Sequence, residues 1–98
     1  MTAVILREAE DDLEHAFNYY ESKRRGLGVE MVDEFRRAIE RILEYPHAWH
    51  RLDETYRRCQ FHRFPFGIIY RVDKSIDCIV VVAVMHLSRR PNWWQERT

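Results

Sequence analysis

Two stretches of the chain carry apolar residues at helical spacing, and the rest carries them in alternation or in unbroken runs. Residues 3–6 form a short apolar run that reads as an edge strand. From residue 8 to 25 the period changes, placing Ala9, Leu13, Ala16, Phe17 and Tyr20 on one helical face. Asp11, Asp12, Glu14, His15, Asn18 and Glu21 lie opposite. Gly26-Leu27-Gly28 then stops the helix, because glycine reaches left-handed backbone angles at little cost. The helical period returns over residues 29–45 with Val32, Phe35, Ile39, Ile42 and Leu43 in one stripe, and Pro46 marks its exit. The pattern predicts an amphipathic helical hairpin.

Residues 46–57 show no period and are expected to form an irregular connection. Alternation resumes over residues 57–64, Pro65-Phe66-Gly67 interrupts it, and residues 68–72 are β-branched and aromatic, so two antiparallel strands are predicted. After the turn at Asp73-Lys74-Ser75, residues 78–85 are almost wholly apolar, as in a strand covered on both faces. Residues 88–98 are a polar tail with no period that would specify an element. The elements sum to an α+β fold of order β-α-α-β-β-β, a helical hairpin packed on one face of a small, mainly antiparallel sheet. The chain's 98 residues suffice for one domain.

Composition narrows the function classes. Hydrophobic residues at 46% and charged residues at 33% suit a globular domain. No run approaches a membrane span, and the acids among the first twenty residues oppose a signal peptide, so a cytoplasmic protein is expected. Cys59 and Cys78 lack the spacing of a zinc or redox motif and read as reduced strand residues. The net charge is zero but polarised. Residues 1–50 hold 7 Lys or Arg against 11 acids (7 − 11 = −4), and residues 51–98 hold 9 against 5 (9 − 5 = +4). The second half is therefore the better candidate to meet an acidic or phosphate-rich partner, while the zero sum opposes indiscriminate nucleic-acid binding.

The first half, with Ala9, Asp12-Leu13, Tyr19-Tyr20, Gly26-Leu27-Gly28, Phe35, Ile39, Ile42 and Pro46 in this order, resembles RelE/ParE toxins. In the second half Arg63-Phe64-Pro65-Phe66, Ile69-Tyr70, the strand over residues 80–84, His86, Arg89-Arg90-Pro91 and Trp94 resemble the ParE, or plasmid-stabilisation, branch. The resemblance spans nearly the whole chain and rests on many short matches. It implies a cytoplasmic toxin of a type II toxin-antitoxin system, blocked by a cognate antitoxin in a hetero-oligomer. ParE-like members inhibit DNA gyrase, whereas RelE-like members cleave mRNA in the ribosome, and one fold hosts both.

Cleavage of RNA needs a base, an acid and positive charge on the phosphate. Arg58, Arg63 and His86 are the candidates if the chain is an endonuclease, with Arg57 and Arg71 as further guanidinium donors. His86 and Arg63 also have plain structural readings, His86 bonded at a strand end and Arg63 paired with a helix acid, and Tyr70 is expected in the core with its hydroxyl outward. The tail holds the residue types richest in interface hot spots, so Arg89, Arg90, Trp93 and Trp94 are the expected target-binding residues, on gyrase. Leu27, Val32, Phe35 and Ile39 are the expected antitoxin-binding positions. A degenerate toxin retaining only antitoxin binding is a third reading. Glu30, Asp33, Glu34 and Glu40 read as solvent-facing charge, and His47, His50 and Asp53 do not complete a metal site. No cofactor loop or nucleophile elbow is present, so no cofactor is expected.

Overall fold

The computed structural model describes residues 1–89 and 93–97, the side chain of Glu96 excepted. Strand β1 (Thr2–Ile5) leads into helices α1 (Arg7–Lys23) and α2 (Leu27–Glu44). Strands β2 (His50–Arg51), β3 (Tyr56–Gln60), β4 (Phe66–Asp73) and β5 (Cys78–His86) follow, and a 3-10 turn at Trp93–Arg97 closes the chain. The sheet order is β1-β5-β4-β3-β2, with β1 parallel to β5 and every other pairing antiparallel. The α+β architecture and the edge position of β1 agree with the sequence pattern. Two regions do not. The stretch expected to be irregular contains β2 and the start of β3, because His50 and Arg51 pair with Arg58 and Arg57. The tail expected to lack an element forms the 3-10 turn.

The interhelical glycines divide the work that the sequence attributes to both. Gly26 has φ of 88° and turns the chain, whereas Gly28 lies inside α2. A Cβ on Gly28 would come 2.7 Å from the Phe17 backbone oxygen and 2.8 Å from Phe17 Cδ2, so its hydrogen lets α2 cross α1 closely. The Gly28 N–H also donates to Glu21 Oε1 at 2.8 Å, satisfying one of the open donors of the first helical turn.

The sheet is covered on both faces. Ala9, Ala16, Met31, Phe35, Ala38 and Ile42 of the helices bury Cys59, Ile68, Tyr70, Ile79, Val81 and Val84. On the other face Tyr56, Ile69, Val80, Val82, Ala83 and Met85 gather around Trp94, with Leu6, Leu52 and Trp93 at the margin. Strict alternation along β5 would put Ala83 under the helices. Instead Tyr70 pairs with Val81 and Ile69 with Ala83, so Val82 is an extra residue and the alternation is reset. This bulge is why an unbroken apolar run serves two cores.

Two polar side chains fix the ends of this layer. Glu34 is 3% exposed rather than solvent-facing, correcting the surface reading of its helix face. Its carboxylate accepts the Arg63 backbone N–H at 2.5 Å, tying α2 to the β3–β4 loop, where Phe64 has φ of 73°. Tyr70 has the expected core position, but its hydroxyl is turned inward, donating to the Pro46 carbonyl at 2.6 Å. Burial raises the Tyr70 pKa well above that of free tyrosine. Because the folded value lies above the unfolded one, this group's contribution is complete below about pH 10 and is lost as pH rises beyond it. Stability against urea is expected to fall above about pH 10, with less of that fall in Tyr70→Phe; an identical alkaline limb in the variant would assign the loss elsewhere.

Candidate functional site

Among the described residues, three cavities are each positioned by a different part of the fold. The first, of about 550 Å³, lies where α1 and α2 meet β1. Ala3, Ile5, Leu13, Phe17, Val32 and Phe35 line it, and Glu10 and Glu14 supply acid at its α1 wall. It exists because β1 is a short strand at the edge, leaving the apolar stripe of the hairpin partly uncovered beyond it. Of the expected antitoxin-binding residues, Val32 and Phe35 line this groove. Leu27 and Ile39, both half-buried, do not. Phe35 is 7% exposed and forms part of the core as well.

A second cavity, of about 560 Å³, lies between α1 and the end of the β4–β5 pair. His15, Tyr19, Tyr20, Phe66, His86 and Arg89 are among its lining residues. Tyr20 stands edge-on to Phe66, and Phe66 edge-on to His86. The Ser88 backbone N–H donates to His86 Nδ1 at 3.1 Å, which leaves the ring proton on Nε2. The Ser88 hydroxyl is 2.7 Å from the same nitrogen. Burial, followed by the neighbouring Tyr19, raises the Tyr20 pKa.

The third cavity, about 310 Å³, is framed by Trp49, His50, Arg58, Gln60, Phe61 and His62. Arg58 lies across Gly67, where an added Cβ would be 3.1 Å from its Cγ, and its buried Nε finds no hydrogen-bond partner. Arg58, Arg63 and His86 therefore do not line one cavity. Arg63 lines none of the three, forming an ion pair with Glu30 at 3.1 Å and stacking on Phe64. Arg24 and then Arg63 hold the exposed Glu30 carboxyl below the usual range. Among the described residues no three of His, Cys, Asp and Glu gather to hold a metal ion, and both cysteines are free and buried.

The tail departs most from its reading as a polar extension. Trp94 is 2% exposed and edge-on to Tyr56, so it anchors the tail beneath the sheet and has almost no surface to present. Trp93 is half-buried, with the Arg89 guanidinium 4.3 Å from its ring centroid and that of Arg97 at 4.4 Å. Each guanidinium lies within the distance at which a cation is attracted to an aromatic ring face. Gln95 reaches Asp53 Oδ2 at 3.4 Å, and Asp53 also accepts the Tyr56 and Thr55 N–H groups, which hold its carboxyl below the usual range. Arg90 lies outside the described residues. Sequence reasoning missed Arg97 as a member of this stack and Asp12 as its counter-ion, a pair 85 positions apart that no local pattern connects.

Comparison with known proteins follows the same lines. The family model for the ParE toxin of type II toxin-antitoxin system, parDE, matches residues 4–91. A solved structure of the chromosomal ParDE TA system from P. aeruginosa superposes with a TM-score of 0.78 at 17% identity, over 90% of this chain and 97% of that one. At that identity the likeness is one of fold. No curated protein sequence matches the chain. Among the described residues no helix is long and apolar enough to cross a membrane.

Proposed function

Because the chain belongs to the family of ParE toxins of type II toxin-antitoxin systems, we propose that it blocks growth by protein contact with DNA gyrase, through its tail, in the cytoplasm. The observation that carries this reading is the Arg89–Trp93–Arg97 stack, presented on a tail whose neighbouring Trp94 is sunk in the core. Aromatic and arginine side chains held rigid before binding lose little entropy on docking, which is what an interface hot spot requires. The net charge of the second half favours an acidic partner surface. Contact is favoured over cleavage because Arg58, Arg63 and His86 are spread over separate surroundings instead of converging on one scissile phosphate.

The cognate antitoxin docks in the groove between α1, α2 and β1. Its segment carries apolar anchors for the ground around Val32 and Phe35 and basic residues for Glu10 and Glu14. The outer edge of β1 lies beside the same groove and offers backbone groups to an added strand. The result is a hetero-oligomer in which the toxin is held inactive.

Induction of the chain alone in a bacterial host, with separate pulse labels for DNA and protein synthesis, tests the reading. DNA labelling is expected to fail first, and Arg89→Ala/Trp93→Ala is expected to restore colony formation by roughly tenfold or more. Early arrest of protein synthesis would sink the proposal in favour of mRNA cleavage. No growth effect from the unaltered chain would reduce it to a chain that only binds its antitoxin.

A further inference from the structure

Strand β1 ends at Ile5 opposite Val81, and Leu6 N–H makes the last backbone bond along that side, to the Val81 carbonyl at 3.0 Å. Strand β5 continues to His86, still paired with β4 on one side but with no strand beyond Ile5 on the β1 side. Two side chains from opposite ends of the chain take that place. The Asp12 carboxylate of α1 accepts the Val84 N–H at 3.0 Å, and Arg97 Nη1 donates to the Val82 carbonyl at 3.0 Å. The two also meet each other in a fork, Nη1 to Oδ2 at 2.7 Å and Nη2 to Oδ1 at 3.0 Å. With side chains only 19% and 15% exposed, the pair is screened less than a surface ion pair.

The same guanidinium that grips Asp12 lies over the Trp93 ring, as does that of Arg89. Trp93 also packs against the second core and stands edge-on to Trp94, so Arg97 supplies one of the contacts that orient the indole. The tail is joined to the body at this clamp, at Trp94 and through Gln95 on Asp53. Of these three, the clamp is the one that reaches α1, through Asp12.

We propose that Asp12 and Arg97 are positioning residues for the toxin's target-binding surface: the pair latches the tail across the free end of β5 and so holds Trp93 and Arg89 in their working orientation. This rests on the reading of the tail as the surface that meets the target. Arg97 acts through Trp93, and Asp12 acts through Arg97. Arginine is required because a lysine offers one ammonium point in place of the planar fork that spans Asp12 and the Val82 carbonyl.

The test uses the full chain with Trp49→Phe, so that emission reports only Trp93 and Trp94. Arg97→Lys, Arg97→Ala and Asp12→Asn are expected to raise acrylamide quenching at least about twofold and lower toxicity on induction at least about tenfold. Capture by the antitoxin is expected to stay within about twofold, since neither residue lines the first groove. The helical circular dichroism of Arg97→Lys is expected to match the parent's, which separates a lost latch from a generally unfolded variant. Unchanged quenching in Arg97→Lys and Arg97→Ala overturns the latch without reference to toxicity. If Arg89→Ala abolishes toxicity while the Arg97 variants keep it, the latch is wrong and the tail reading stands. If Arg89→Ala/Trp93→Ala is fully toxic, the tail reading fails and the latch loses its function with it.

Discussion

Replacing Phe35 by alanine is expected to cost the domain about 3–5 kcal/mol, the range for truncating a buried phenylalanine. The ring is 7% exposed, it sits in the core between the hairpin and the sheet, and it also floors the groove beside β1. A small domain has only about 5–15 kcal/mol in total. The melting temperature should therefore fall by more than about 12 °C, at roughly 4–8 °C per kcal/mol for a chain of this size. Thermal melts followed by circular dichroism measure it. Val32 separates the two roles of this region. It lines the same groove but is only half-buried, so Val32→Ser is expected to cost about 1–2 kcal/mol and leave a folded protein. On the proposed docking mode it should nonetheless weaken antitoxin capture at least about tenfold. A Phe35→Ala protein that melts within about 3 °C of the parent would mean that the ring does not support the core as its burial implies.

Gly28→Ala is expected to destabilise by about 2–3 kcal/mol, although alanine is the better helix former by about 1 kcal/mol. The added methyl would meet the Phe17 carbonyl oxygen at 2.7 Å, and backbone cannot swing aside as a side chain can. The helices must part, which also strains the bond from the Gly28 N–H to Glu21. Gly26→Ala makes the comparison informative. There the added Cβ meets nothing within 4 Å, but φ of 88° still penalises any L side chain, so the expected loss is about 1 kcal/mol and purely conformational. Urea titrations of the two variants should rank Gly28→Ala as the more damaging. The reverse order would show that the hairpin turn, not the crossing of the helices, limits stability.

Much of the fold was legible because its signals are local. Of the stripe expected on α2, Phe35 and Ile42 are buried and Val32, Ile39 and Leu43 are half-buried beside them, so helical spacing announced the covered side, while Met31 and Ala38 show that its centre lies slightly round the helix. Apolar residues over 78–85 announce a strand with two covered faces for the same reason. Errors arose where a short element depends on a partner. The two residues of β2 have no period of their own and are a strand only because β3 lies alongside. Glu34 looks like any acid on a charged helix face, and only the β3–β4 loop closing over it makes it a buried acceptor. The tail's tryptophans look alike in sequence, yet one is sunk against Tyr56 and its neighbour is held between two arginines.

The sequence by itself determined the two amphipathic helices, the glycine turn between them, the succession of strands and the polarity of charge along the chain. It also carried the family resemblance, since that depends on residue types in order. Tertiary structure alone decided the place of β1 beside β5, the reset of faces at Val82, the groove left open at the sheet edge, and the joining of Asp12 to Arg97. Periodicity reports which side of an element is apolar, because backbone geometry repeats every few residues. It is silent about which distant elements meet, since that follows from how the whole set of apolar faces can be covered at once.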